Sequence, residues 1–226
     1  MRVRFQQSLT ELKERLLVMA GMTEQSIQRA VEAYKTRDIS ICDLMDREEQ
    51  AIDRFEREID QMALQVLAME HPVAVDLRFT LSVIKINADL ERMGNAASSI
   101  SHRVRDLETF AMVDLPIDIP KMASLATGMV RSAVLAFIDA DTDIAQSVFL
   151  MNDSLSRLHD KGHTELSSLI VRQPELTPQA LNTMMIAQSL ERVANQSKNV
   201  AADVIFWVRG ADVRQHASHG GRAWTA

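Results

Sequence analysis

The sequence predicts an all-α protein of two tandem, pseudo-symmetric three-helix bundles, with six long helices in all. Apolar residues recur at steps of three and four along most of the chain, and only 7 Gly and 5 Pro interrupt this pattern. Residues 87–95, late in one helical pattern, match residues 187–195, late in another. Both segments contain Leu-Glu-Arg, two small or apolar residues and Asn, and 191 − 91 = 100 residues separate their glutamates. A polar segment repeated inside long helices indicates a duplicated three-helix unit.

Composition restricts the function classes. The 226 residues are 46% hydrophobic and 4% aromatic with 13 Met, which is typical of helix packing. A net charge of −6 without a basic stripe argues against a nucleic-acid partner. The single cysteine, Cys42, excludes an internal disulfide. The sequence has no signal-peptide pattern and no uninterrupted apolar run of about 18 residues, so we expect a cytoplasmic protein that meets membranes only through partners.

The first half reads as three helices. Apolar spacing from Phe5 to Tyr34 predicts the first, and Asp38 is a suitable cap for the second. His71-Pro72 ends the second helix because proline removes a donor and disfavours helical geometry in the residue before it. We expect neighbours on both sides of the third helix because it has two nearly opposite apolar stripes. These stripes are Leu77, Leu81, Ile84 and Ala88, and Ile86, Leu90, Met93, Ala97, Ile100, Val104 and Leu107.

The second half begins where residues 114–120, with two prolines and two aspartates, interrupt the periodicity. We therefore predict one three-helix domain at residues 1–113, a second at 114–210 and a disordered tail at 211–226. The fourth helix should end near residues 139–143, and Pro174 should end the fifth. Thr177 as cap and Pro178 in the first turn predict the start of the sixth helix, and Gly210 its end.

The repeated motif presents Glu91 and Asn95 on one face of a helix, and Glu191 and Asn195 on another. A carboxylate and an amide at this spacing can together bind a hard cation, and Asp89 lies beside the first pair. The alternative is an ordinary solvated face, with a surface ion pair of small value between residues 89 and 92. Occurrence at matched positions of both halves makes the functional interpretation as strong as the alternative.

Other candidate sites are weaker. His159 and His163 have a spacing that can chelate zinc, but Asp160 and Lys161 lie between them and the pattern favours surface histidines. A di-metal carboxylate bundle would need Glu-x-x-His pairs, and the sequence contains none. No Gly-rich phosphate loop, Ser-His-Asp or Cys-His pattern is recognisable either, so we expect a protein that is not an enzyme.

Several segments together resemble the PhoU family of bacterial phosphate-signalling regulators. In the first half these are residues 45–46, 58–68, 71–78 and 89–95, and in the second half residues 172–174, 190–195 and 199–208. The resemblance implies a PhoU-like fold of two three-helix repeats and a non-enzymatic cytoplasmic regulator that acts by contact. The partners it implies are the ATPase subunit of the phosphate transporter and a sensor histidine kinase. The implied action is negative regulation of phosphate-starvation signalling when phosphate is plentiful.

The resemblance also implies divalent ions, or iron or zinc clusters, at the acidic motifs of some relatives. Carried over, the candidate metal ligands are Glu91, Asn95, Glu191, Asn195 and Asp89. This chain departs from the family pattern because Asn replaces the last Asp of each motif, and an amide oxygen is a neutral and weaker ligand.

The candidate partner-binding residues lie on the motif faces and at the start of the third helix. They are Glu91, Arg92, Glu191, Arg192, Asp76 and Arg78. The doubled stripes offer more apolar surface than one chain need bury, so we expect a homodimer. The alternative function is a metal-binding or purely structural helical oligomer without a phosphate-specific partner.

Overall fold

The computed structural model describes residues 2–211, with side chains from residue 5 onward, and this part of the chain is helical without a strand. Its long helices are α1 (Arg2–Thr36), α2 (Ile39–Glu70), α3 (Val75–Asp106), α4 (Ile119–Asp139), α5 (Thr142–Arg172) and α6 (Thr177–Arg209), with a 3₁₀ turn at Pro174–Leu176. The prediction of six long helices is confirmed. Of the predicted tail, residues 212–226 lie outside the described residues.

Local signals at the helix ends act as predicted. Asp38 caps α2 by accepting a hydrogen bond from the backbone N–H of Ser40 at 2.9 Å. Asp118 and Asp141, which were not predicted as caps, cap α4 and α5 in the same way. Gly210 ends α6 in the left-handed region, with φ 73°.

The predicted cap of α6 is wrong. Thr177 is the first residue of the helix rather than its cap, and Leu176 precedes it without a side-chain cap. The Thr177 hydroxyl donates to the carbonyl of Pro174 at 2.6 Å. The preceding 3₁₀ turn offers this carbonyl, so the hydroxyl faces back into the turn instead of forward to the helix.

The six helices form two layers. α3 and α6 share the most extensive packing and run antiparallel, because Phe79 near the start of α3 contacts Trp207 near the end of α6. α2 flanks α3 and α5 flanks α6, which gives a layer in the order α2, α3, α6, α5. α1 packs on α2 and α3, α4 packs on α5 and α6, and α1 and α4 contact each other. The duplicated halves are therefore joined through one continuous core.

One of the two stripes predicted on α3 is buried and the other is not. The stripe from Ile86 to Leu107 lies wholly in the core. On the other stripe, Leu77 and Leu81 remain more than a third exposed. The second neighbour of α3 is α6, and it packs instead on a face that includes Ser82 and Asp89. The expectation of neighbours on two sides is right. The stripe that begins at Leu77, however, does not face the second neighbour.

Helix α4 is long and apolar enough to cross a membrane by length and composition alone. Its apolar side chains, however, supply nine buried residues to the core, among them Phe137. Phe137 stacks on Phe79 with ring centroids 5.8 Å apart and lies 5.4 Å from Trp207. These three rings fix one end of α4 against α3 and α6.

The connection between the halves is held against α5 by a close approach. A Cβ added at Gly162 would lie 2.4 Å from Cδ1 and 2.5 Å from Cγ1 of Ile117. We expect Gly162→Ala to lower the free energy of unfolding by about 1–3 kcal/mol through overpacking. Gly21 is the matched control, because nothing lies within 4 Å of its added Cβ. Gly21→Ala should raise stability by about 0.5–1 kcal/mol through helix propensity.

Thermal unfolding of the two variants tests this prediction. At this chain length each kcal/mol shifts Tm by about 2–4 °C. Gly162→Ala should therefore melt below the parent protein and Gly21→Ala above it. A Gly162→Ala protein that gains stability as Gly21→Ala does would show that Ile117 does not press on α5.

Candidate functional site

The first motif lies in the middle of α3, on the side of the helix opposite Leu90 and Met93. Glu91 is half-buried and Asn95 is exposed. The Asn95 amide donates to Oε1 of Glu91 at 2.6 Å, so the first and last residues of the motif are joined to each other. Arg92 is exposed and donates to Oδ1 of Asp89 at 3.1 Å.

The second motif occupies the same position on α6. Glu191 is half-buried like Glu91, and Arg192 is exposed like Arg92. Glu191, however, faces a different neighbour: its Oε2 lies 3.5 Å from Nδ1 of His159 on α5. We call the exposed side of α3 and α6 that bears both motifs the outer face. Its defining residues are Glu91, Arg92, Asn95, Glu191, Arg192 and Asn195.

A row of carboxylates on α2 borders the first motif. Burial raises the pKa of Glu56, and the nearby carboxylates of Asp60 and Glu91 raise it further. Asn87 of α3 donates from Nδ2 to Oδ1 of Asp60 at 2.9 Å and to the Glu56 carbonyl at 2.8 Å. We call this acidic crevice between α2 and α3 the first groove, defined by Glu56, Asp60 and Glu91.

The corresponding crevice between α5 and α6 has different chemistry. Ile52 of α2 and Leu155 of α5 are both fully buried and lie 155 − 52 = 103 residues apart. With the same offset Glu56 corresponds to His159, and Asp60 to His163. The second groove, defined by His159, His163 and Glu191, therefore has histidines where the first groove has carboxylates. The two halves keep the motif but have diverged in the helix beside it.

His159 is not the solvated surface residue that the sequence pattern favoured. Its side chain is 16% exposed and is held between Glu191 and its neighbour Asp160. His163 is exposed, and its ring centroid lies 6.2 Å from that of His159. The sequence carried a signal for the first groove, because the polar residues 49, 53, 56 and 60 of α2 recur at steps of four and three.

Asp89 does not lie beside Glu91 as a further ligand. It is 4% exposed and faces the α3–α6 interface, where burial raises its pKa to about 6. Arg92 lowers the pKa of Asp89 in part, and the carboxylate of Asp203 on α6 raises it. Lys85 of α3 lies 3.5 Å from Oδ1 of Asp203. Asp89, Asp203 and Lys85 thus lie where the two halves meet and are not part of the outer face.

The predicted partner-binding residues at the start of α3 are also partly engaged inside the protein. Arg78 donates from Nε to the carbonyl of Trp207 at 3.1 Å, which ties the start of α3 to the end of α6. Asp76 is half-buried in the first turn of α3. Of the residues predicted for partner contact, Arg92 and Arg192 are exposed, whereas Asp76 and Arg78 are half-buried.

The side chains at the motifs do not fit a multinuclear metal cluster. Such a cluster needs several carboxylates around each ion. Within residues 2–211 no three His, Cys, Asp or Glu side chains are placed to hold a metal ion together. Asn95 directs its N–H toward Glu91, and Asp89 faces another helix.

Comparison with known proteins identifies the repeat. The family model described as the PhoU domain matches twice, at residues 16–104 and 119–204. Among curated relatives, the phosphate-specific transport system accessory protein PhoU homolog of Pseudomonas aeruginosa is 31% identical over 211 residues, covering 93% of this chain and 87% of the relative. The PhoU protein of Escherichia coli is 23% identical over 212 residues, with coverage of 93% and 87%.

Solved structures agree with the fold. The crystal structure of PhoU from P. aeruginosa superimposes with a TM-score of 0.89 at 30% identity, covering 92% of this chain and 100% of that one. The phosphate transport system regulatory protein PhoU from Streptococcus pneumoniae gives a TM-score of 0.86 at 23% identity, with coverage of 92% and 99%. The second comparison bears on the fold alone.

Proposed function

The chain belongs to the PhoU family, and from this membership we propose that it is a non-enzymatic accessory protein that regulates phosphate transport by contact with other proteins. The observation that carries the proposal is the repeated outer face. Glu91 and Glu191 have the same burial at matched positions of two helices, on a layer that no other described helix covers. Half-buried, pre-positioned charges of this kind suit recognition of a partner surface.

Two partners are proposed: the ATPase subunit of the phosphate transporter and a sensor histidine kinase. The names of the relatives tie them to the phosphate transport system, which supports the first of these. We propose negative regulation in the cytoplasm, so that deletion of the gene releases phosphate-starvation signalling in phosphate-rich medium. A starvation reporter that stays silent in the deletion strain contradicts this proposal.

Exchange of Glu91 and Glu191 for Ala tests the outer face. We expect the double variant to fold, because surface ion pairs and exposed hydrogen bonds contribute only about 0–1 kcal/mol each. Its affinity for the purified ATPase subunit or the kinase should fall at least about tenfold, because unpaired charges are left in the interface. Circular dichroism measures folding, and biolayer interferometry measures the dissociation constants.

The matched control exchanges two other glutamates, one on α2 and one on α5. Glu58 pairs with Arg15 at 3.5 Å, and Glu165 lies 3.8 Å from Lys161, so both are exposed members of ion pairs outside the motifs. Replacing both by Ala should leave partner affinity within about twofold of the parent. If the two double variants bind equally well, the motif faces are solvated surface. That result would favour the alternative of a purely structural helical oligomer.

Two further expectations join the proposal. We propose a homodimer, for which the exposed side chains of Leu81 on α3 and of Leu181 and Met185 on α6 supply apolar surface. Analytical ultracentrifugation tests it.

For metal, the remaining prediction of the family resemblance is a single divalent ion at either motif. Elemental analysis of protein purified without chelator tests that occupancy.

A further inference from the structure

The hairpin between α2 and α3 has an apolar, exposed tip. Met69 and Val73 are 74% and 73% exposed, followed by Val75 at 52% and Leu77 at 38%. We call these four residues the hairpin tip. Four large apolar side chains within nine residues form a patch of a few hundred Å², the size at which exposed apolar surface on a monomer is often functional.

The second half lacks an equivalent. In the described hairpin between α5 and α6, Val171 is the only large apolar side chain that is more than a third exposed. Both hairpins join helices of the same fold, and the second does so without an apolar tip. The apolar side chains of the first tip are therefore not needed to form the hairpin, and their exposure points to a contact made outside the chain.

The backbone of the tip is strained. Ala74 has φ 48° and ψ −109°, a conformation that residues other than glycine rarely adopt, and it precedes α3 without a side-chain cap. Such strain costs on the order of 1–3 kcal/mol and is concentrated at functional sites. Ala74 lies between Val73 and Val75, so its backbone conformation determines how these two exposed residues are oriented relative to each other.

The charges around the tip indicate which partner fits. Glu70 and Asp76 lie between its apolar residues in the sequence, and Asp143 lies at the same end of the molecule. Among the described residues at this end, three basic side chains are each held within the protein: Arg78 donates to the Trp207 carbonyl, Arg209 contacts Thr142 and Asp143, and Lys13 donates to the Ile138 carbonyl. The tip is thus an apolar centre with an acidic rim, which is complementary to an apolar pocket with lysines or arginines around it.

This arrangement disfavours two other occupants. An anionic membrane surface attracts basic segments and repels an acidic rim. A second copy of the chain would bring two acidic rims together, and two tips of this size bury less than the roughly 1,200 Å² of a stable interface.

We propose that the hairpin tip is a docking site for a protein partner that offers an apolar pocket with a basic rim. The proposal rests on the proposed function, which names the phosphate-transporter ATPase as the partner to test first. The tip is separate from the outer face, so the protein has one contact surface at the α2–α3 hairpin and another in the middle of α3 and α6.

The experiment compares two variants with the parent protein. Met69→Gln with Val73→Thr makes the tip polar without changing side-chain size. The control, Leu150→Gln with Val171→Thr, introduces the same two polar residues at positions that are 73% and 81% exposed. The tip variant should bind the purified ATPase subunit about tenfold more weakly and the control within about twofold, with affinity falling as salt rises.

A phosphate-starvation reporter in cells carrying each variant separates this inference from the proposed function. If the reporter is active in cells with the tip variant and silent in cells with the control, the docking site is supported. This holds whether or not the parent protein binds the ATPase. If the parent does not bind the ATPase, the proposed partner is wrong while the tip is still judged by the reporter. A tip variant that represses like the parent overturns the inference.

Two binding measurements cover the other occupants. Flotation with phosphatidylcholine–phosphatidylglycerol vesicles and analytical ultracentrifugation are run on the parent and on both variants. Vesicle binding that only the tip variant loses assigns the tip to a membrane and overturns the proposal. A dimer that dissociates only in the tip variant assigns it to a second copy, with the same consequence.

Discussion

Truncation of Leu90 to alanine is expected to lower the free energy of unfolding by about 2–5 kcal/mol, and truncation of Leu190 by a similar amount. Leu90 is 1% exposed and Leu190 is fully buried, at matched positions 190 − 90 = 100 residues apart. Each side chain fills the core from one of the two central helices. A cavity in one half should therefore cost about as much as the equivalent cavity in the other.

Both variants should still unfold in one cooperative step. α3 and α6 pack against each other and share one continuous core with the other four long helices, so neither half keeps its core when the other opens. Guanidinium unfolding followed by circular dichroism and tryptophan fluorescence measures the number of transitions and the change in free energy. Two transitions, or a cost below about 1 kcal/mol in one variant, would contradict the picture of two equivalent halves on a shared core.

Leu64 provides the control for this pair. It lies on α2 with 61% of its surface exposed. Leu64→Ala removes the same atoms without opening a cavity, so we expect a change within about 0.5 kcal/mol.

The helix ends could be predicted from sequence because their causes are local. Asp38 accepts from an N–H two residues away, and Gly210 adopts a left-handed conformation available to glycine at little cost. Thr177 shows the limit of this reasoning. Its hydroxyl can accept from a backbone N–H of the helix or donate to a carbonyl of the preceding turn, and the 3₁₀ turn at Pro174–Leu176 places the Pro174 carbonyl within its reach.

The neighbours of the motif could not be predicted in the same way. Periodicity places Glu91 and Glu191 on helix faces, but the partner across a groove depends on how two helices slide along each other. Glu56 meets Glu91, and His159 meets Glu191, only because α2 and α5 share one register against α3 and α6. The buried stripes of α2 and α5 are offset by 103 residues, and this offset can be read from the sequence. It shows which residue of α5 corresponds to each residue of α2.

The exposed stripe of α3 illustrates a second limit. An apolar stripe shows which side of a helix avoids water, but it does not show whether a partner helix covers it. Leu77 and Leu81 are apolar and exposed, whereas Asp89 is charged and buried. The interface between the halves thus contains polar groups that hydropathy would place outside, and the apolar residues left outside are available for partners.

The buried carboxyl in that interface leads to the second large effect. Asp89→Asn is expected to raise the free energy of unfolding at neutral pH by up to about 3 kcal/mol, because one pKa unit corresponds to about 1.4 kcal/mol. The pKa of Asp89 rises from 3.8 to about 6 on folding, so the folded protein disfavours the ionised form. The cause is burial first, with the carboxylate of Asp203 adding to it, while Arg92 offsets part of the effect.

The pH dependence follows from the direction of the shift. Below about pH 4 Asp89 is protonated in both the folded and the unfolded chain, so it costs nothing. Between about pH 4 and 6 the unfolded chain loses this proton while the folded protein keeps it, so stability falls; above about pH 7 the group is charged in both states and the cost is constant. The advantage of Asp89→Asn should therefore be near zero at pH 4, grow between pH 4 and about 7, and then stay constant. Denaturant titrations across that range measure it.

Asp106 separates this effect from the loss of a helical ion pair. Like Asp89 it pairs with an arginine three residues away, with Nη1 of Arg103 at 2.8 Å from its Oδ2, but 49% of its side chain is exposed. Asp106→Asn should change stability by no more than about 0.5 kcal/mol. If Asp89→Asn is instead less stable than the parent at pH 8, the pair of Asp89 with Arg92 outweighs burial. The polar junction would then stabilise the assembly of the two halves rather than weaken it.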